Sequence, residues 1–182
     1  MHETVPSTTE TSLDRAAATT SQYRTALEAC DLERLLATMA PDVVVHSPLS
    51  MRARFDGRDE VRELLRAVFA TVGQMRFHTD VGDERTRVLF HSARVGGQDF
   101  EETTLVRLDE QARIAEVTLW IRPLPGITAM MAELGPRLAR QYGRPCTAVA
   151  VSALTKPLVF MTRVGDRFAD SLVKSRTAPR QT

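Results

Sequence analysis

Polar and apolar positions alternate with two different periods along the chain, and the switch between them marks out the elements. Ala16, Thr20, Tyr23, Leu27 and Cys30 keep the 4,3,4,3 spacing of one helical face, which predicts a helix over about Leu13–Ala29 with Tyr23 turned inward. Asp31 is placed to cap a second, short helix carrying Leu32, Leu35, Leu36 and Met39, ended by Pro41-Asp42. The β-branched run Val43–Ser47 predicts a strand stopped by Pro48, with His46 alternating outward, and a loop with Arg52, Arg54 and Phe55 follows. Gly57 then opens a third helix, with Val61, Leu64, Leu65, Val68, Phe69 and Val72 at 3–4 spacing.

Beyond this point the period drops to two. Four strands are predicted, about Met75–Gly82, Thr86–Val95, Gln98–Leu108 and Arg113–Arg122, joined at Asp83-Glu84, Gly96-Gly97 and 109–112. Gly-Gly between two strand runs signals a two-residue hairpin turn. A further helix over about Ile127–Tyr142 is expected to break at Gly135-Pro136. Leu154, Leu158, Met161, Gly165, Phe168 and Leu172 then recur at 4,3,4,3,4 and predict one more amphipathic helix. Helices followed by a β meander give an α+β fold, a curved, largely antiparallel sheet with helices gathered on one face. The chain divides into a polar lead-in expected to be disordered (1–12), a body (13–142) and a helical, basic C-terminal extension (143–182).

The hairpin loops also fix which side chains share a face. With Gly96-Gly97 as the turn, Leu89 faces Thr104, His91 faces Glu102 and Ala93 faces Phe100. A four-residue connection at 109–112 places Val117 beside Thr104, Leu119 beside Glu102 and Ile121 beside Phe100. One face is therefore apolar apart from His91, Glu102 and Thr104, as suits the lining of a small-molecule cavity. The other carries Val88, Phe90, Ser92, Thr103, Leu105, Glu116, Thr118 and Trp120, an amphipathic surface suited to a sheet-to-sheet homodimer.

Composition narrows the classes. With 182 residues, 43% hydrophobic and 26% charged, the chain can bury a core without disulfides. A net charge of +1 argues against a nucleic-acid binder working by bulk charge. No apolar run approaches the length of a bilayer span, and the polar start MHETVPSTTETS lacks the regions of a secretory signal. Two distant cysteines, Cys30 and Cys146, fit a reducing cytoplasm, and 22 arginines against 2 lysines fit GC-rich bacterial coding. Charge separates within the chain: residues 137–182 hold nine basic and two acidic side chains, net +7, leaving −6 on residues 1–136. Docking of the tail on the acidic body or on a partner subunit explains this; attachment to an anionic surface is the alternative.

Candidate chemistry centres on His91 and Glu102, cross-strand neighbours whose side chains come within hydrogen-bonding range. A buried carboxylate raises an imidazole's pKa, so the pair could move a proton near neutral pH; a satisfied polar pair in a sheet is the competing reading. His78 and Asp80 share His91's parity if the 83–84 turn is even, and would extend the polar patch. The four histidines show no metal-ligand spacing, and no nucleotide loop or nucleophile elbow is present, so no metal or cofactor is expected.

Three stretches, SQYRTALEACDLERLLATMAPDVVVHSP, FDGRDEVRELL and TTLVRLDEQARIAEVTLWIRPL, follow one another in an order and spacing that resembles the nuclear transport factor 2-like superfamily over about residues 13–135. That group includes SnoaL-like cyclases and ketosteroid isomerase. The resemblance implies a cone-shaped α+β domain enclosing a pocket. The superfamily's isomerases use a first-helix tyrosine, an aspartate before the proline that ends the first strand, and a protonated aspartate on the meander. Tyr23 matches the first. Ser47 stands before Pro48 in place of the second, and the third falls on or near Thr104, so two of the three groups are missing. The Asp-Arg-Asp arrangement of the superfamily's epoxide hydrolases cannot be placed, and its dehydratases' His–Asp pair is matched only by analogy, through His91 with Glu102 or Asp80.

Three functional readings follow. In the first, an apolar pocket binds a small hydrophobic molecule, with Tyr23, Ser47, His91, Glu102 and Thr104 as polar contacts and Leu89, Phe100, Val117, Leu119 and Ile121 as walls. In the second, His91 is a general acid/base oriented by Glu102, with Tyr23 polarising a carbonyl or hydroxyl of a polyketide- or steroid-like substrate. In the third, a structural or regulatory dimer fills the cavity with its own C-terminal helix.

Overall fold

Gly96 and Gly97 both adopt left-handed backbone, φ 54° and 77°, and close the central hairpin with no residue to spare. A computed structural model describes residues 8–173, and in it every pair of this hairpin falls in the expected register, from Val95↔Gln98 through His91↔Glu102 to Thr86↔Arg107. The elements run α1 (Thr8–Glu28), α2 (Leu32–Ala37), β1 (Met39–His46), β2 (Arg54–Asp56), α3 (Gly57–Phe69), β3 (Val72–Gly82), β4 (Thr86–Val95), β5 (Gln98–Leu108), β6 (Ile114–Arg122), α4 (Leu124–Gln141) and α5 (Pro145–Val173). The six strands form one sheet in the order β2-β1-β6-β5-β4-β3, antiparallel throughout except for β1 beside β6. This is the α+β architecture expected, with a helical C-terminal extension.

Local chemistry explains the boundaries. The Asp31 side chain accepts from the Arg34 N–H and caps α2. α1 ends in a Schellman turn: Asp31 N–H bonds Ala26 O, Cys30 N–H bonds Leu27 O, and Cys30 takes φ 54°. Cys30 is thereby swung out of the helical stripe and exposed, where the spacing placed it inward. The helix also begins at Thr8, so residues 8–12 belong to α1 and not to an unstructured lead-in; residues 1–7 lie outside the described part.

Four further expectations are corrected. Met39–Asp42 is strand, not the end of a helix: α2 stops at Ala37, and Met39 and Val43 are buried on β1. The loop at Arg54–Phe55 includes a short edge strand paired to β1. β6 is shifted by two residues against β5, so that Thr104 faces Leu119, Glu102 faces Ile121 and Val106 faces Val117. One residue enters the turn, where Ala112 is left-handed (φ 59°), and a second is the unpaired Ala115 between Ile114 and Glu116. Because the shift is even, every side chain keeps its face. Lastly, α4 runs unbroken through Gly135-Pro136, with Pro136 buried inside it.

α4 lies across the sheet at one point of unusually close approach. A Cβ on Gly126 would stand 2.6 Å from the Cβ of Phe100, so only glycine lets the helix seat on β5. α5 packs on α4 through Thr162, whose hydroxyl is 2.8 Å from that of Thr128, and through Val151 against Gly135, and its Arg163 reaches past α4 to donate to Gly96 O in the β4–β5 turn. By length and composition alone Pro145–Ala169 is apolar enough to cross a membrane, and little of it is buried. Ser152, Thr155 and Lys156 interrupt it, so no uninterrupted apolar run reaches the length of a bilayer span.

Candidate active site

The inner face of the sheet, α1, α3 and α4 enclose a cavity of about 130 Å³. β5 and β6 supply Phe100, Glu102, Val117, Leu119 and Ile121, β4 supplies His91, α1 supplies Tyr23, and Ser47 sits at the end of β1. Eight of the ten residues singled out from sequence thus line one space. Leu89 and Thr104 do not: both are fully buried beneath the lining, and Thr104 reaches the site only by donating to Glu102 Oε1 at 3.3 Å. The Ser47 hydroxyl is engaged by the Leu49 N–H at 3.2 Å and holds the turn after β1. Sequence reasoning missed the helical half of the wall, Leu64, Leu65 and Val68 of α3 and Met130, Leu134 and Leu138 of α4; their 3–4 spacing was the available signal.

The polar groups gather at one patch of this apolar wall. His91 is buried, its ring 4.8 Å from that of Phe77 and edge-on to Phe100 at 6.4 Å. Its Nε2 lies 4.0 Å from Glu102 Oε1, beyond hydrogen-bonding distance, and its Nδ1 is buried with no partner. Burial dominates the electrostatics. Desolvation lowers the His91 pKa to about 4, assisted by His78, and raises that of Glu102 to about 7 against the opposing Thr104 hydrogen bond. This corrects the expectation of an imidazole made more basic by its neighbour: the carboxyl is too far away and too desolvated to hold a full charge against it. Near neutral pH the site contains a neutral imidazole and a carboxyl poised between its two forms. Tyr23, buried on α1 and edge-on to Phe77 at 6.4 Å, is held firmly as the phenol by burial and by Glu102.

The other candidate polar residues divide. Asp80 does point inward, opposite Leu89, but into a separate ion cluster: it pairs with Arg87 at 2.7 Å, accepts from Thr20 at 2.8 Å and contacts Arg24 at 3.4 Å. His78 does not share its face. It is the extra residue between the pairs Phe77↔His91 and Thr79↔Phe90, and the bulge turns it outward to Ser92 Oγ at 2.9 Å. His46 also faces outward, 2.9 Å from Glu116.

A family model described as a SnoaL-like domain matches residues 20–117. The chain belongs to the SnoaL-like family. Its fold is that of the nuclear transport factor 2-like superfamily, as three solved structures illustrate. A steroid delta-isomerase from Pseudomonas aeruginosa is 30% identical, with a TM-score of 0.64 over 71% of this chain and 95% of that one. A bacterial protein of cystatin-like fold from Silicibacter pomeroyi is 22% identical, with a TM-score of 0.64 over 71% of this chain and 93% of that one. A nuclear transport factor 2-like protein of unknown function from Cytophaga hutchinsonii is 11% identical, with a TM-score of 0.52 over 60% and 92%. No functionally curated protein matches this SnoaL-like chain.

Proposed function

We propose that this SnoaL-like protein binds a small, ring-sized apolar molecule bearing one oxygen that receives a hydrogen bond from Tyr23 and, when protonated, from Glu102. The observation that carries this reading is an apolar cavity lined at one patch by Tyr23, His91 and Glu102, with the His91 Nδ1 buried and without a partner. Its volume of about 130 Å³ compares with an engineered apolar cavity of about 150 Å³ that takes up benzene, which favours one ring over several. Titration calorimetry with cyclohexenones, phenols and their hydrocarbon analogues tests it. The oxygenated ligands bind, the hydrocarbons bind less tightly, and Tyr23→Phe lowers affinity for the former by about tenfold, the value of one hydrogen bond to a buried group. Equal affinity of Tyr23→Phe and wild type for every ligand refutes the assignment.

One observation favours catalysis as the second reading. A neutral His91 can accept a proton while a protonated Glu102 donates one, a division of labour suited to moving a proton between carbon and oxygen. The likeness to a steroid delta-isomerase supports an isomerase type of reaction, although Ser47 stands where an isomerase of that kind carries its base. Replacing His91 by Phe separates the readings: turnover vanishes under catalysis, whereas affinity changes only modestly under binding alone. The self-filled cavity is the least supported reading, because among the described residues none of α5 lines the space.

The outer sheet face, with Val88, Phe90 and Leu105 half-buried and Trp120 exposed, supports a homodimer formed sheet to sheet. The free cysteines Cys30 and Cys146, both exposed, support a reducing compartment such as the cytoplasm.

A further inference from the structure

α5 buries the wrong face for a helix that completes a soluble core. Against α4 it places Ala148, Val151, Ser152, Thr155, Val159 and Thr162, small or weakly polar side chains. The large apolar ones point away. Val149, Leu154, Phe160 and Met161 are 68%, 75%, 69% and 67% exposed. At 3.6 residues per turn, the exposed arc from Phe160 through Leu154 to Leu158 covers a little under half the circumference of the helix, and no charged residue of 145–169 falls within it. Lys156, Arg163 and Arg167 line up beyond its edge, and residues 137–182 together carry net +7.

We infer that α5 is a membrane-surface helix, which lays this apolar arc into the interface of an anionic bilayer while α4 and the sheet remain in water. Three observations select a lipid surface over a second copy of the chain. The arc is too broad for a helix–helix seam, which covers only a narrow stripe and would leave Phe160 exposed. The segment is apolar along 25 residues, yet only 11% of its most apolar stretch is buried against the rest of the protein, which leaves a long continuous face free for a lipid surface. The charge flanking it is basic, complementary to anionic headgroups. It lies on the surface and does not cross, because Thr162 and Arg163 tie its opposite side to Thr128 and Gly96 of the body.

The test is flotation of the full-length chain with vesicles of phosphatidylcholine alone or with about one-third phosphatidylglycerol, at about 0.02 M and about 0.5 M salt. Binding is expected on the anionic vesicles at low salt and lost at high salt. Leu154→Gln with Phe160→Gln abolishes it. Lys156→Gln with Arg167→Gln, which leaves the apolar arc intact and guards against a folding defect in the first variant, weakens it about thirtyfold, the value of two basic residues at a charged surface. Absence of binding at low salt, equal binding to neutral vesicles, or variants that bind like wild type overturns the inference. So does a chain that ignores vesicles while Leu154→Gln/Phe160→Gln converts a dimer to a monomer, which makes the arc a contact between copies.

Discussion

His91 and Glu102 stand opposite each other on adjacent strands, yet His91 Nε2 and Glu102 Oε1 are 4.0 Å apart and neither sets the other's pKa shift. Burial drives the two pKa values in opposite directions, to about 4 for the imidazole and about 7 for the carboxyl. Between pH 4.5 and 6.5 the unfolded chain protonates the histidine that the native state keeps neutral, and the native state keeps the glutamate proton that the unfolded chain releases. The two effects cancel in wild type, leaving little net contribution to the slope of stability with pH.

Single substitutions unmask the opposed slopes. With His91→Phe, Glu102 acts alone, and its stabilisation is complete below pH 4.5 and lost as pH rises to about 7. With Glu102→Gln, His91 acts alone, and stability present above pH 6.5 is lost as pH falls to about 4. Each slope is about 1.4 kcal/mol per pH unit, read from urea denaturation across this range. Parallel profiles for the two variants would contradict the opposed protonation of the pair.

Asp80 and Arg87 form the most deeply buried ion pair among the described residues, with both side chains 8% exposed. Asp80→Ala leaves the Arg87 guanidinium without its main partner and costs about 3–5 kcal/mol. The double replacement Asp80→Leu with Arg87→Met removes both charges and recovers most of that loss. Chemical denaturation of the three proteins checks the order. A double variant as unstable as the single would mean that packing, and not the stranded charge, sets the cost.

Gly126→Ala drives a methyl group to within 2.6 Å of Phe100 Cβ, an atom rigidly attached to β5. The helix must lift, at about 1–3 kcal/mol, and Phe100, a wall of the cavity, moves with it. Thermal denaturation reads the first effect and ligand affinity the second. Full stability in the variant would show that α4 seats more loosely than its contact with β5 implies.

Legibility tracked how locally each feature is determined. Gly96-Gly97 permits a single turn length, so the register of β4 on β5, and the shared face of His91 and Glu102, follow from the sequence. The β5–β6 register depended on a left-handed Ala112 and an unpaired Ala115, which no residue preference announces; face parity survived only because two irregularities add to an even number. At His78 a single bulge left the parity odd and put the side chain on the wrong face. Protonation was the least legible feature. Residue spacing brought His91 and Glu102 together, but the sign of their pKa shifts is set by the depth of burial that α3 and α4 create from elsewhere in the chain.

α4 is a partition one helix thick. Gly135 borders the cavity on one side and meets Val151 Cγ1 of α5 on the other, with space for a Cβ only 3.1 Å from that methyl. Such a thin divider cannot yield on one side without showing it on the other, so whatever settles against the outer helix presses on the chamber, and a guest that swells the chamber is felt outside.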